Sequence, residues 1–260
     1  MLDSAAPTVF QFEALTLGLI VSAAFVTAVF HSVAGFAGGL LLSVCLAPIL
    51  GIKAVVPVVA VAVMVSNTAR LWVFRHAVNW RVYGAIMITA FPGIVVGALV
   101  YSYLPVAAIA VILGVFLILA VPLRRVLRGL DIRVGLRGLS AAGSGFGLIS
   151  GTTIGAGMIL VPFLLGAGLA GENLVAIIAA VGFTLNLTKT VVFGSTALLD
   201  LNMLLTGLLI GLCTIPGAYT GRWIVTHTPI RIHTLLLDVL ITIGGLYFLW
   251  SAAKATGTPT

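Results

Sequence analysis

Two cations sit where the chain offers them little water. Arg70 lies in the apolar run 54–75 and Lys189 in the run 172–193. Each follows an asparagine by three residues, in Asn67-Thr-Ala-Arg70 and Asn186-Leu-Thr-Lys189. Three apart on a helix, amide and cation share one face. A cation inside hydrocarbon is costly unless it meets a partner or a wet cavity. An inward-facing amide–cation pair suits an anion. The structural alternative is a long side chain that snorkels to the interface.

A second constellation is the stretch SGTTIGAGMILVPFLL, Ser150 to Leu165. Ser150, Thr152 and Thr153 bring hydroxyls, while Gly155 and Gly157 weaken a helix. A break here would leave the N–H groups of the next helix unpaired, and a helix start of roughly +0.5 charge attracts anions. Close packing through small residues is the competing reading. SVAGFAGGLLLSV places Ser32, Gly38 and Gly39 in a similar cluster early in the chain. His31 stands beside Ser32, as a candidate proton carrier or as an ordinary structural histidine.

These groups need elements to hold them. Of 260 residues 61% are hydrophobic and 7% charged. A soluble domain carries about 25% charged residues, so the chain is read as integral to a membrane. Long apolar runs with short polar breaks indicate helices, not a barrel. The net charge of +7 is assigned to segment ends and not to nucleic acid. Cys45 and Cys213, both in apolar runs, are read as packing residues. The start of the chain lacks the basic residues of a secretory signal, so 12–30 is expected in the mature protein.

The apolar segments fall at 12–30, 34–50, 54–75, 82–101 and 105–123, then at 138–150, 155–168, 172–193, 202–221 and 233–250. The basic stretch 124–137 separates the two sets. The sets align in order: Gly39 with Gly157, Asn67 with Asn186, Phe74 with Phe193, and Pro92-Gly-x-x-x-Gly97 with Pro216-Gly-x-x-x-Gly221. Such a pattern indicates an internal repeat. Residues 138–168 would reach about 46 Å as one helix, too long for a ~30 Å core and too short for two crossings. Two short helices meeting inside the membrane fit that length.

The expected fold is therefore an all-α polytopic membrane protein, one domain over 1–260. It has two inverted repeats (12–123 and 138–250) of about five elements each, with mid-membrane breaks near Gly35–Gly39 and Ser150–Gly157. Inversion puts the linker 124–137 in the cytoplasm and both termini outside. Arg75, Arg81, Arg124, Arg125, Arg128, Arg133, Arg137, Arg222 and Arg231 then lie inside, against Lys53 and Lys254 outside. Parallel halves give a slightly weaker inside bias. Asp238 is the one acidic residue well inside an apolar run, and no carboxylate pair marks a central cation site. There is no Walker loop, His-Glu-x-x-His or Cys-x-x-Cys, so no enzyme chemistry and no cofactor are expected.

The glycine cluster in each half, the Asn-x-x-Arg/Lys pairs and Pro-Gly-x-x-x-Gly together resemble the TauE/SafE family of sulfite exporters and sulfonate permeases, over about 12–250. The resemblance implies a secondary carrier of sulfite, sulfonates or related small organic anions in the cytoplasmic membrane. It departs in the first half, where Val44 stands opposite Pro162. A channel lined by the same residues is the alternative. The expected substrate site is Ser32, Gly38, Gly39, Asn67, Arg70, Ser150, Thr152, Thr153, Gly155, Gly157, Asn186 and Lys189. Expected partners are the anion and membrane lipid, without nucleic acid. A homodimer is an open option.

Overall fold

The structure, a computed structural model, describes residues 14–34, 38–129, 133–227 and 230–257; side chains at 14, 17, 30–34, 128–129, 218–219, 221–237 and 256–257 are outside the description. Every regular element among them is helical: α1 (Ala14–Ala34), α2 (Gly38–Leu50), α3 (Ile52–Phe74), α4 (Trp80–Tyr103), α5 (Val106–Gly129), α6 (Leu136–Thr152), α7 (Gly157–Gly166), α8 (Gly171–Ser195), α9 (Leu201–His227) and α10 (Ile230–Gly257). Four described segments are long and apolar enough to cross a membrane: Ile52–Ala77, Trp80–Tyr103, Val106–Leu127 and Gly171–Ser195. Large apolar side chains such as Ile88, Val191 and Ile243 are exposed on outer faces, the surface that lipid covers. The protein is an all-α polytopic membrane protein.

Local chemistry sets the helix ends. The Asn79 side chain accepts from the N–H groups of Arg81 and Val82 and caps α4. Asp200 accepts from Met203 N at 2.7 Å and caps α9. Helix α7 stops at a glycine in the left-handed region, Gly168 (φ 81°). There Leu169 N reaches Leu164 O and Gly168 N reaches Leu165 O, the paired bonds of a Schellman motif.

The tightest interface joins α4 to α6 through glycine. A Cβ on Gly97 would stand 2.6 Å from Leu148 O and 2.8 Å from Gly151 Cα, and one on Gly143 would stand 2.7 Å from Ile86 O. A Cβ on Gly147 would run into Ala90. Two cross-helix hydrogen bonds add to this: Thr89 Oγ1 to Ser140 O at 2.6 Å, and Ser140 Oγ to Ala85 O at 2.8 Å. With so little side chain between them the backbones approach closely, as in small-residue membrane interfaces.

Packing follows a regular scheme. Helix α1 lies on α9 as α6 lies on α4; α3 meets α8, and α5 meets α10. Exchanging α1–α5 for α6–α10 leaves that scheme unchanged.

The basic stretch 124–137 differs from its sequence reading. Helix α5 continues to Gly129, so Arg124 and Arg125 are helical. Arg124 is 5% exposed and pairs with buried Asp238 of α10, and Arg125 meets the other oxygen of that carboxylate at 3.0 Å. The apolar pattern stops at 123 because the charges begin there, yet the α10 carboxylate lets the helix carry them onward. The first-half break near Gly35–Gly39 falls partly outside the described residues; Gly38 and Gly39 open α2.

Candidate functional site

Helix α6 ends at Thr152, Thr153 is extended (φ −127°, ψ 179°), and α7 begins at Gly157. The interruption at 153–156 falls inside the stretch whose length suggested it. Gly155 has φ 78°, a conformation that side chains rarely adopt, and a Cβ there would also collide with Leu40. Gly151, four residues earlier, faces α4, where a Cβ would lie 2.7 Å from Gly97 Cα. Gly157 meets nothing within 4 Å. One glycine therefore packs, one turns the chain and one leaves space.

The Lys189 side chain crosses from α8 to the break. Its ammonium donates to Ser150 O at 2.8 Å and Thr153 O at 2.6 Å, and the residue is 1% exposed. Carbonyls at a helix C-terminus lack intrahelical partners and carry the negative end of the dipole, so a cation is favourable there. An ammonium has three donors, and two are used by these carbonyls. Lys189 is thus held inside the protein by the broken backbone and does not reach outward to an interface.

Around it lie polar groups with spare capacity. The Ser150 hydroxyl is buried without a hydrogen-bond partner among the described residues. Asn67 is 5% exposed, and no hydrogen bond among the described residues uses its amide. It lies against Gly182, where a Cβ would come 2.6 Å from Asn67 Nδ2. Asn186 Nδ2 donates to Gly182 O at 2.7 Å, leaving its amide oxygen. The turn, loop and cap hydrogen bonds of the described residues include none from the N–H groups of Ile154, Gly155 or Ala156.

Eight of the expected residues, Gly39, Asn67, Ser150, Thr153, Gly155, Gly157, Asn186 and Lys189, line one cavity of about 80 Å³. Gly38 lines a neighbouring cavity instead. Thr152 is not in the lining, and its hydroxyl returns to Ile149 O at 3.1 Å. Arg70 is also outside the lining, one turn beyond Asn67 and half-buried. The side chains of His31 and Ser32 lie outside the described residues.

The rest of the wall escaped sequence reasoning: Val63, Phe146, Ile154, Ala156, Leu160, Ile178, Val181 and Leu185, with Gly182 between the two asparagines. Apolar wall residues look like any others in a chain this hydrophobic. Gly182 alone carried a signal, four residues before Asn186 and so on the same helix face. The cavity thus has a polar end built on the break and an apolar body between α6, α7 and α8. It holds on the order of three water-sized groups, the scale of a small oxyanion.

The family model for the sulfite exporter TauE/SafE matches residues 20–248. No curated protein and no solved structure matches the chain.

Proposed function

Because the chain belongs to the TauE/SafE sulfite exporter family, we propose that it is a secondary transporter that moves a small sulfur-containing or organic anion across the cytoplasmic membrane by alternating access, with the cavity at the α6–α7 break as the binding site. The observation that carries the reading is the meeting of the buried Lys189 ammonium with the uncommitted Asn67 amide and Ser150 hydroxyl around one cavity. The spare ammonium proton, the amide N–H₂ and the N–H groups before α7 supply donors to an oxyanion without one rigid ion pair. The apolar body excludes water and accepts the non-oxygen face of the ligand.

Alternating access between inverted halves is supported by the packing scheme, which is unchanged when the halves are exchanged. In that arrangement the linker 124–137 faces the cytoplasm and both termini face outward. Outward movement of a monovalent anion is favourable by about 2.3 kcal/mol per 100 mV of interior-negative potential, so efflux needs no coupled ion.

Purified protein is tested against sulfite, sulfoacetate, taurine and short carboxylates by thermal shift, then in liposomes for counterflow. Saturable flux accelerated by unlabelled anion on the opposite side is expected. Non-saturating flux without counterflow replaces the carrier by a channel, and absence of both binding and flux overturns the reading. Protease-site tags that place both termini in the cytoplasm overturn the inverted arrangement.

A further inference from the structure

Beside the Lys189 cavity lies a smaller one of about 20 Å³. It is the counterpart of the first in the other half of the chain. With Gly39 in register with Gly157 and Asn67 with Asn186, its lining residues Gly38, Leu42, Ala62 and Ser66 correspond to Ala156, Leu160, Val181 and Leu185. All four counterparts line the first cavity. The two spaces also touch, because Gly39 and Val63 belong to both walls.

Their chemistry differs. Where the first cavity has an ammonium, the second has hydroxyls, from Thr27, Ser66 and Thr214, and no charged side chain among its described lining residues. Thr27 and Thr214 are buried, at 3% and 8% exposure. Their hydroxyls rest on carbonyls of their own helices, Thr27 on Ala23 O at 2.7 Å and Thr214 on Gly211 O at 2.6 Å. Each can turn to a ligand without unmaking a backbone bond. Ser66 has no hydrogen bond among the described residues. Buried hydroxyls around a space that continues an anion site are suited to hold that anion weakly.

We propose that this second cavity is an uncharged station for the same small anion, entered from the Lys189 cavity across the Gly39–Val63 wall. The inference rests on the transport reading above. Conduction needs sites that bind well enough to admit a ligand and weakly enough to release it. An anion next to a buried ammonium has the first property, and an anion among hydroxyls has the second. In this conformation the second station has room for about one water-sized group, less than the first. A Cβ on Gly39 would sit 2.7 Å from Ile154 Cγ2 and 3.3 Å from Val63 Cγ2, so the wall between the stations has no slack for a side chain.

The test uses full-length protein, with sulfite and sulfoacetate as probes. Ser66→Leu fills the second cavity with the residue that its counterpart position, Leu185, already carries. It is expected to bind the probe in detergent within threefold of wild type while efflux from liposomes falls at least tenfold. Thr214→Val and Ser66→Ala remove one hydroxyl each at little change of shape. They are expected to slow efflux severalfold at unchanged affinity, and they decide the matter alone if Ser66→Leu does not fold. Efflux within twofold of wild type in Ser66→Leu overturns the proposal. So does slow efflux in Ser66→Leu with normal efflux in both hydroxyl variants, which makes the space a clearance for helix movement. Wild-type protein that binds and moves neither probe fails the transport reading itself, and the second station falls with it. Normal wild-type behaviour with unaffected variants fails the second station alone.

Discussion

Replacing Lys189 with methionine separates its tie between two helices from the anion-binding role proposed for it. The ammonium ties α8 to the C-terminal end of α6, at 2.8 and 2.6 Å from two carbonyls, and it faces the cavity. Methionine keeps the approximate volume and loses both bonds. Charge-assisted hydrogen bonds contribute about 1.5–3 kcal/mol each. The variant also no longer buries a charge, which offsets part of that loss. A net destabilisation of about 1–3 kcal/mol follows. The anion loses more: a unit charge 4 Å away at an effective dielectric of 20 contributes about 4 kcal/mol, roughly a thousandfold in affinity. Calorimetric titration with sulfite, beside thermal unfolding without ligand, reads the two effects apart. The expected outcome is a slightly less stable protein whose affinity collapses. Binding within threefold of wild type, with stability lowered, would show that Lys189 only pegs the broken helix and that the anion sits elsewhere.

Other substitutions separate residues of the same type. Gly157→Ala meets no atom within 4 Å and improves helix propensity by up to about 1 kcal/mol. It should therefore leave the melting temperature unchanged or raised while narrowing the cavity and reducing flux. Gly155→Ala must hold a side chain at φ 78° against Leu40, so it should lower the melting temperature with or without ligand. Gly97→Val should abolish recovery of folded, monodisperse protein on size-exclusion chromatography, whereas Gly84→Ala, with open space around it, should behave as wild type. Asp238→Asn breaks the buried Arg124–Asp238 pair and should cost about 3–5 kcal/mol in thermal unfolding. Arg125→Ala, whose side chain is 68% exposed, should cost under about 1 kcal/mol. Arg70→Met should change sulfite affinity by less than threefold in the same titration, since the side chain lies outside the cavity lining.

Much of the fold could be read from runs of apolar residues. The expected segment 54–75 is α3 at Ile52–Phe74, and the expected pair 138–150 and 155–168 is α6 and α7 around a break at 153–156. Length decided that last case, because 31 residues fit neither one crossing nor two. The sequence could not separate Arg70 from Lys189. Both stand three residues after an asparagine, yet Lys189 meets the end of α6 and lines the cavity while Arg70 is outside that lining, and the neighbour that Lys189 finds comes from a distant part of the chain. Gly151, Gly155 and Gly157 look alike in sequence for the same reason. What each glycine does depends on α4, on the local φ and on empty space. The extension of α5 past 123 was hidden too, since a run of arginines marks a segment end unless a carboxylate waits 114 positions later.

The packing scheme has a consequence for biosynthesis. The extensive helix contacts α4 with α6, α1 with α9, α3 with α8 and α5 with α10 all cross from the first five helices to the last five. Neither half therefore owns a core. When Gly129 at the end of α5 leaves the ribosome, α4 still presents a glycine-lined face to lipid and α3 has nothing against Asn67. At about 5–20 residues per second the remaining chain takes on the order of ten seconds to appear. Through that interval the first half must wait in the bilayer as loosely associated helices. The protein then assembles late, by interleaving, and a chain truncated after the first five helices should be cleared by membrane proteases before it can persist as a smaller folded unit.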